Sequence, residues 1–566
     1  MTNKSKKIIF LIALPAILVF FSIITIIFIF HYYNLDINII KAYLNEQTYR
    51  ITASDSYIHP SQYNIDFLYY DISVELLNNE EKIKGRIIIT FYPKKPIDTF
   101  VLNFYDNMKV KNLKLNGKNT DYVHDDYHLK IMCEKEISDT SEVIIEYSGK
   151  PLMMGFSSFN FAKDDSGKVS SVYSLSEPVY SSTWFPCSDR PDDKVKMSMQ
   201  ITNDSNFVSL SNGVLKKIEK SKDKKTYYWQ TDYPISTYLI SLYSSPYKSF
   251  SDKFVYQSDT MKIDYYFYPE SYENAKTDVE DHPKMLQIFS DLFGKYPFIK
   301  EKYAVAEFAW QYGAMEHQTI TGISTNLISG RKLYTNYYIH ELAHHWWGNA
   351  VGPKSWDDIW LSEGFATYSE ALYFEQNGGA RGLQAKMRAF LDDDNFEGVL
   401  GNPGRDLFSH TIYNKGAWVL HMLRYEMGDS VFFKTLKEYF NKYKYKNASI
   451  KDFKNVCEEV SGKELGWFFK QWIYKGEGLL KLEYKWDCKK QENSYETELI
   501  INQNQKEYNV YKLNIDVSFE TGTNEKIKKK YFLDSRNNKL VFYSENPVKK
   551  IMLDENSWLF AKIVKK

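Results

Sequence analysis

The spacing of apolar positions along the chain changes period twice. From about residue 63 it is two. Asp71-Ile72-Ser73-Val74-Glu75-Leu76 alternates, Asn78-Asn79 turns the chain, and residues 86–91 return as a partner strand. Short stretches of the same kind at 100–102, 143–145, 208–210 and 237–240 extend this pattern, so residues 63–250 are predicted to form an all-β domain. The period then lengthens. Residues 274–293 read as a helix, 303–308 as a strand and 334–474 as helices. Phe432, Leu436 and Phe440 share one helical stripe, and Ser449 three residues before Asp452 is a capping signal ahead of Phe453, Val456 and Val460. Gly476 and Gly478 close a mostly helical domain over 251–477. Alternation then returns: Leu513, Ile515, Val517 and Phe519 on one face, Asn514, Asp516, Ser518 and Glu520 on the other. Residues 478–566 are therefore predicted to be a small C-terminal β-sandwich.

Ahead of these domains, residues 8–30 carry no charge. As a helix they would extend about 34 Å, enough to cross a bilayer core. Lys4, Lys6 and Lys7 precede the run and no basic residue follows until Lys41. The positive-inside rule makes residues 1–7 a cytoplasmic stub, 8–30 a single membrane span and 31–62 a tether, with the rest outside the cell. A cleaved signal peptide is the rival reading. It is disfavoured because the run is long and ends in Phe30-His31-Tyr32-Tyr33, without small residues for cleavage.

Composition excludes more than it suggests. The 72 basic and 72 acidic residues balance, leaving no basic excess for nucleic acid. The four cysteines are far apart with no CxxC, so neither a thiolate metal site nor a disulfide scaffold is expected.

The chemistry concentrates in residues 340–363. His340-Glu341-Leu342-Ala343-His344 places two imidazoles at i and i+4 on one helix face, where both can hold one ion. Such a motif also occurs by chance on solvated helices, but a third candidate ligand, Glu363, opens the next helical stretch at 361–376. Two imidazoles and a carboxylate are a donor set for one catalytic Zn2+ ion, with a position left for water. Glu341 points off the ligand face, where it can take a proton from that water. Glu370, seven residues beyond Glu363, is on the same face and is a candidate to orient a ligand histidine. Trp346, Trp347, Trp356 and Trp360 read as packing.

Four segments together resemble the zinc aminopeptidases typified by aminopeptidase N, gluzincins like thermolysin. They are HExxH with the late Glu363, Gly313-Ala314-Met315-Glu316-His317, Phe185-Pro186-Cys187-Ser188-Asp189-Arg190-Pro191, and Tyr413-Asn414-Lys415-Gly416-Ala417. The resemblance covers about residues 63–566 and implies a thermolysin-like catalytic domain over 251–477. It implies that His340, His344 and Glu363 are the zinc ligands and Glu341 the general base. Gly313, Ala314, Met315 and Glu316 match the family's GxMEN strand, whose Glu binds the free α-amine, with His317 here in place of Asn. Glu177 falls where relatives place a second amine-facing residue, although Ser182 replaces an Arg often found beyond it. Tyr413 matches the tyrosine that supports the tetrahedral intermediate, and Tyr312 lines the first specificity pocket. Larger relatives have a helical C-terminal domain over the site; here that end reads as β, so a more open site is expected.

The expectation is a membrane-anchored, outward-facing zinc aminopeptidase acting on peptides with a free N-terminus. Its rivals are an endopeptidase or an epoxide hydrolase on the same site, and an inactive surface-binding protein on a peptidase scaffold.

Overall fold

The long hairpin read from the sequence forms the middle of the first domain. Strands Ile65–Leu77 and Lys82–Pro93 pair with Ser73 opposite Arg86, burying Ile72, Val74 and Leu76 of the first strand and Ile87, Ile89 and Phe91 of the second. The computed structural model describes residues 58–391, 396–404 and 406–566. The expected span at 8–30 and most of the tether lie outside them. Among the described residues, no helix is long and apolar enough to cross a membrane.

The hairpin sits within an eight-stranded sheet in which Ile65–Leu77 runs parallel to Val195–Asp204. A second sheet of four strands includes Val169–Leu175 and leads directly to Glu177. Strand Lys248–Tyr256, at the predicted end of the β domain, pairs instead with Asp259–Phe267 in a five-stranded sheet. That sheet continues through Tyr303–Phe308 and Thr321–Ser324 to a short edge strand, Ala314–Met315.

The single helix predicted over 274–293 is two, Tyr272–Val279 and His282–Phe293. Pro283 sits in the first turn of the second, where its missing N–H costs nothing; further inside one continuous helix it would break a hydrogen bond and clash. Residues 334–474 are mostly helical, but Val351–Pro353 and Lys446–Ala448 form a parallel strand pair. The capping box at Ser449 and Asp452 is formed. Three helices frame the central cleft: α1 (Thr335–Ala343), α2 (Trp360–Ala389) and α3 (Gly416–Met427). At Gly379, with φ of 62° and ψ of −157°, α2 folds back on itself, a conformation open to glycine. The return limb brings Lys386 Nζ within 2.7 Å of Glu370 Oε2.

The C-terminal strands form two sheets, of four and three strands, whose facing rings Phe519 and Phe542 stack at 4.1 Å. This domain docks on the helical one: Trp558 stacks on His421 of α3 at 4.5 Å, and Phe560 packs edge-on against Phe396.

Helices α2 and α3 meet at two glycines. A Cβ on Gly416 would lie 2.9 Å from Gly364 Cα, closer than packed atoms tolerate. Gly416→Ala is therefore expected to cost about 1–3 kcal/mol through overpacking, read as a lower Tm. Gly466→Ala, where nothing lies within 4 Å, is expected to leave Tm unchanged or higher. Equal Tm values for the two variants would refute the close crossing.

Candidate active site

Helix α1 exists because Tyr338, Ile339, Leu342 and Ala343 bury its inner side. The i, i+4 spacing then turns His340 and His344 toward the start of α2, where Glu363 stands. The two Nε2 atoms are 3.0 Å apart, and each is 3.3 Å from Glu363 Oε2. Ligands arranged tetrahedrally at zinc–nitrogen distances of about 2.0–2.1 Å are separated by about 3.3 Å, so the three donors fit one zinc ion.

Both far ring nitrogens are occupied, which leaves Nε2 of each ring turned to the common point. His340 Nδ1 lies 3.1 Å from Glu370 Oε1. His344 Nδ1 lies 3.0 Å from the Trp347 carbonyl oxygen and 3.1 Å from Ser362 Oγ. Gly348, at φ 119°, makes room for the second arrangement, since a Cβ there would lie 2.4 Å from Ser362 Oγ. Nothing in the sequence pointed to Ser362 or Lys386, because each acts through a neighbour reached only by a fold-back or a turn. Trp346, Trp347, Trp356 and Trp360 are buried packing residues as expected.

Charge is crowded here. Among the described residues, every set of three His, Cys, Asp or Glu side chains near enough to share an ion falls in this cluster. Besides His340, His344 and Glu363 these are Glu316, Glu341 and His344, and Glu177, Glu316 and Glu363, with atoms within 4.8 Å of one another in each set. Burial pushes the Glu177 carboxyl well above the usual range, and Glu316, Glu363 and Glu341 push the same way. Burial also raises Glu316, with His344 pulling it back. Glu341 is pushed up to about 8 by burial, against the pull of His340. Burial opposes the ionised form of Glu363 too, but His344 and His340 outweigh it and hold Glu363 at about 2. An Oε1 atom on each of Glu177 and Glu316 is buried without a hydrogen-bond partner, that of Glu316 lying 4.0 Å from His344 Nδ1.

Tyr413 lies on a wide helical turn, Thr411–Lys415, with its ring 5.8 Å from that of His340 and 23° from parallel. The buried Lys415 ammonium ties this turn to the Gly476 carbonyl at 2.6 Å. Burial, followed by the Glu363 charge, lifts the Tyr413 hydroxyl well above its ordinary range, so it remains a donor. His317 faces away from this chemistry: its Nδ1 lies 2.5 Å from the Tyr243 hydroxyl. The Glu316 carbonyl instead accepts from Asn349 Nδ2 at 2.7 Å.

The residues singled out from the sequence line one cleft of about 570 Å³: Glu177, Tyr312, Gly313, Ala314, Met315, Glu316, His340, Glu341, His344, Glu363 and Tyr413. Ala314–Met315 forms the sheet edge, paired on one side with Thr321–Ser324. Its other side suits an extended peptide backbone.

Known proteins show the same organisation. The Peptidase M1 N-terminal domain matches residues 66–239 and the Peptidase family M1 domain matches residues 277–472. "Probable aminopeptidase 2" of Sulfurisphaera tokodaii is 29% identical over 391 residues, covering 65% of this chain and 49% of that protein. The M1 zinc metallopeptidase of Deinococcus radiodurans superposes with a TM-score of 0.67 at 23% identity, over 75% of this chain and 97% of that one. Legionella pneumophila aminopeptidase A superposes with a TM-score of 0.77 at 19% identity, over 88% and 59%. The two structural likenesses establish the fold. The chain spans half or less of the length of the curated relatives it matches. With both domains matched in order, and the donor set, Glu341 and Glu316 gathered in the cleft between them, the chain belongs to peptidase family M1.

Proposed function

We propose that the protein is a zinc aminopeptidase, removing the first residue of peptides at a site outside the cell and anchored by residues 8–30. The observation that carries the reading is the pair of buried carboxylates, Glu177 and Glu316, each with an unpartnered oxygen beside the metal donors. Buried anions are costly unless a cation joins them, and a peptide's α-ammonium is a cation of the right size. An endopeptidase would have no such group to offer them. The uncharged stretch at 8–30, with Lys4, Lys6 and Lys7 just before it and no lysine or arginine after it until Lys41, supports the anchor.

A zinc ion on His340, His344 and Glu363 would supply a Lewis acid that lowers the pKa of water and polarises the scissile carbonyl. Glu370, through His340 Nδ1, and Ser362 with the Trp347 carbonyl, through His344 Nδ1, keep both Nε2 atoms aimed at the site. Glu316 and Glu177 hold the α-ammonium, which fixes the first peptide bond over Glu341. Glu341 takes the proton of the attacking water and returns it to the leaving amine. The Tyr413 hydroxyl donates to the oxyanion as the carbonyl becomes tetrahedral.

The deciding experiment is cleavage of aminoacyl-4-nitroanilides by the detergent-solubilised full chain, with and without a zinc chelator and beside N-acetylated controls. Chelator-sensitive release from free-amine substrates only is expected. Cleavage of the blocked substrates would establish an endopeptidase; silence with zinc bound would leave an epoxide hydrolase or a binding protein. Glu341→Gln is expected to retain zinc, by metal analysis, while losing nearly all turnover, and normal turnover would remove Glu341 as base. Tyr413→Phe is expected to lower kcat by about 10²–10³, the usual cost of one oxyanion donor, with zinc content unchanged.

A further inference from the structure

Lys386 lines the cleft but has no part in the chemistry described above. Its ammonium lies 2.7 Å from Glu370 Oε2, while Glu370 Oε1 lies 3.1 Å from His340 Nδ1. Both oxygens of one buried carboxylate are therefore held by side chains, and one of those side chains is a metal donor. The Glu370 side chain is 8% exposed and that of Lys386 19%, so water screens the pair little and the carboxylate would be costly to bury alone. A single hydrogen bond to His340 leaves the carboxyl group free to turn. The second contact, to Lys386, fixes its plane.

Three features of the return limb of α2 fix where this ammonium is delivered. The limb turns back at Gly379, and a Cβ on Gly382 would lie 2.3 Å from the Phe374 carbonyl oxygen, so the two limbs meet at close range. Leu383, Met387 and Phe390 bury its inner side, and the Lys386 ammonium lies 4.9 Å from the centre of the Phe390 ring. Two residues beyond Lys386, Arg388 donates from Nε at 3.0 Å and from Nη2 at 2.8 Å to Ser557 Oγ of the C-terminal domain. The Ser557 carbonyl accepts from His421 Nε2 of α3 at 3.1 Å, which ties the same turn to the catalytic helices. A lysine stem loses much rotamer freedom when it is ordered, so an ion pair gains most where the backbone and stem are already held.

We propose that Lys386 is a positioning residue for the metal: by holding Glu370 Oε2 it keeps Oε1 on His340 Nδ1, and so raises the affinity of the His340, His344 and Glu363 site for zinc. The inference rests on the reading of those three residues as zinc donors. Without the ammonium, the Glu370 carboxyl group is free to turn into the cleft, and the His340 ring loses the contact that aims its Nε2. Lys386 touches neither substrate nor metal in this role, so it acts on zinc retention and not on the chemical step.

The test is competition for zinc between the zinc-free full chain and a fluorescent chelator of known affinity, which reads the site without any peptide. Lys386→Met, which keeps the stem and removes the charge, is expected to weaken zinc binding by about 10–100-fold, the usual cost of losing an outer contact to a ligand histidine. Lys386→Arg is expected to restore most of the affinity. A double-mutant cycle separates positioning from packing: in a Glu370→Ala background, Lys386→Met is expected to change zinc affinity no further. The Tm of each zinc-free variant checks folding, and Lys386→Gln takes the place of Lys386→Met if the latter unfolds. Parent-like affinity in the uncharged variant, an equal loss in Lys386→Arg, or a full further loss in the Glu370→Ala background would overturn the proposal. None of these readings needs cleavage of an anilide, so failure of the aminopeptidase reading shows separately. A parent chain that binds no zinc would overturn the metal reading and the inference together.

Discussion

Three donor atoms on two different helices stand 3.0–3.3 Å apart, and the rest of the centre depends on keeping them there. Two of them are neighbours by helix geometry. The third depends on where α2 begins relative to α1, which is a matter of packing. Gly348 lets the chain turn close behind His344, and the glycine contact between α2 and α3 sets Glu363 and the Tyr413 turn at a fixed distance. A side chain at either place would move a ligand or its supporting hydrogen bond. The tolerance of such a centre is a few tenths of an ångström, so close backbone approach is the economical way to hold it.

The same cleft collects Glu177, Glu316, Glu341, Glu363 and Glu370, and their environments give them different tasks. Glu363 lies between two imidazoles and stays ionised. Glu370 bridges His340 and Lys386. Glu177 and Glu316 retain an unpartnered oxygen and repel one another, a pair suited to a cation brought in by the substrate. Distribution of partners, more than number of carboxylates, separates the metal-facing groups from the substrate-facing ones.

Because Glu177 belongs to the β domain and the metal donors to the helical domain, the seam between domains must be rigid. Two buried lysines stitch it. Lys194 donates to the carbonyls of Asn349 and Ala350, and Lys302 donates to those of Ser211 and Gly213. A buried ammonium ringed by carbonyls is costly to release, so these ties resist domain movement. Asn349 in turn donates to the Glu316 carbonyl, which links the seam to the amine site.

By itself the sequence determined whatever follows from fixed local geometry. A period of two gave the hairpin at 65–93 and the alternating strand at 513–521. Helical spacing put His340 with His344 and, seven residues on, Glu370 with Glu363; only the fold then brought Glu370 to His340. The helix break at Pro283 was equally local and was missed because apolar periodicity ran through it. Tertiary structure decided the rest: the fold-back at Gly379 that returns Lys386 to Glu370, the selection of Ser362 as a histidine partner, and the meeting of Phe156, Trp310 and Phe408 in one wall of the cleft. These contacts join residues up to 252 positions apart in the 566-residue chain. No spacing rule operates over that distance, because loop conformation and packing, and not the repeat of a helix or strand, set which side chains meet.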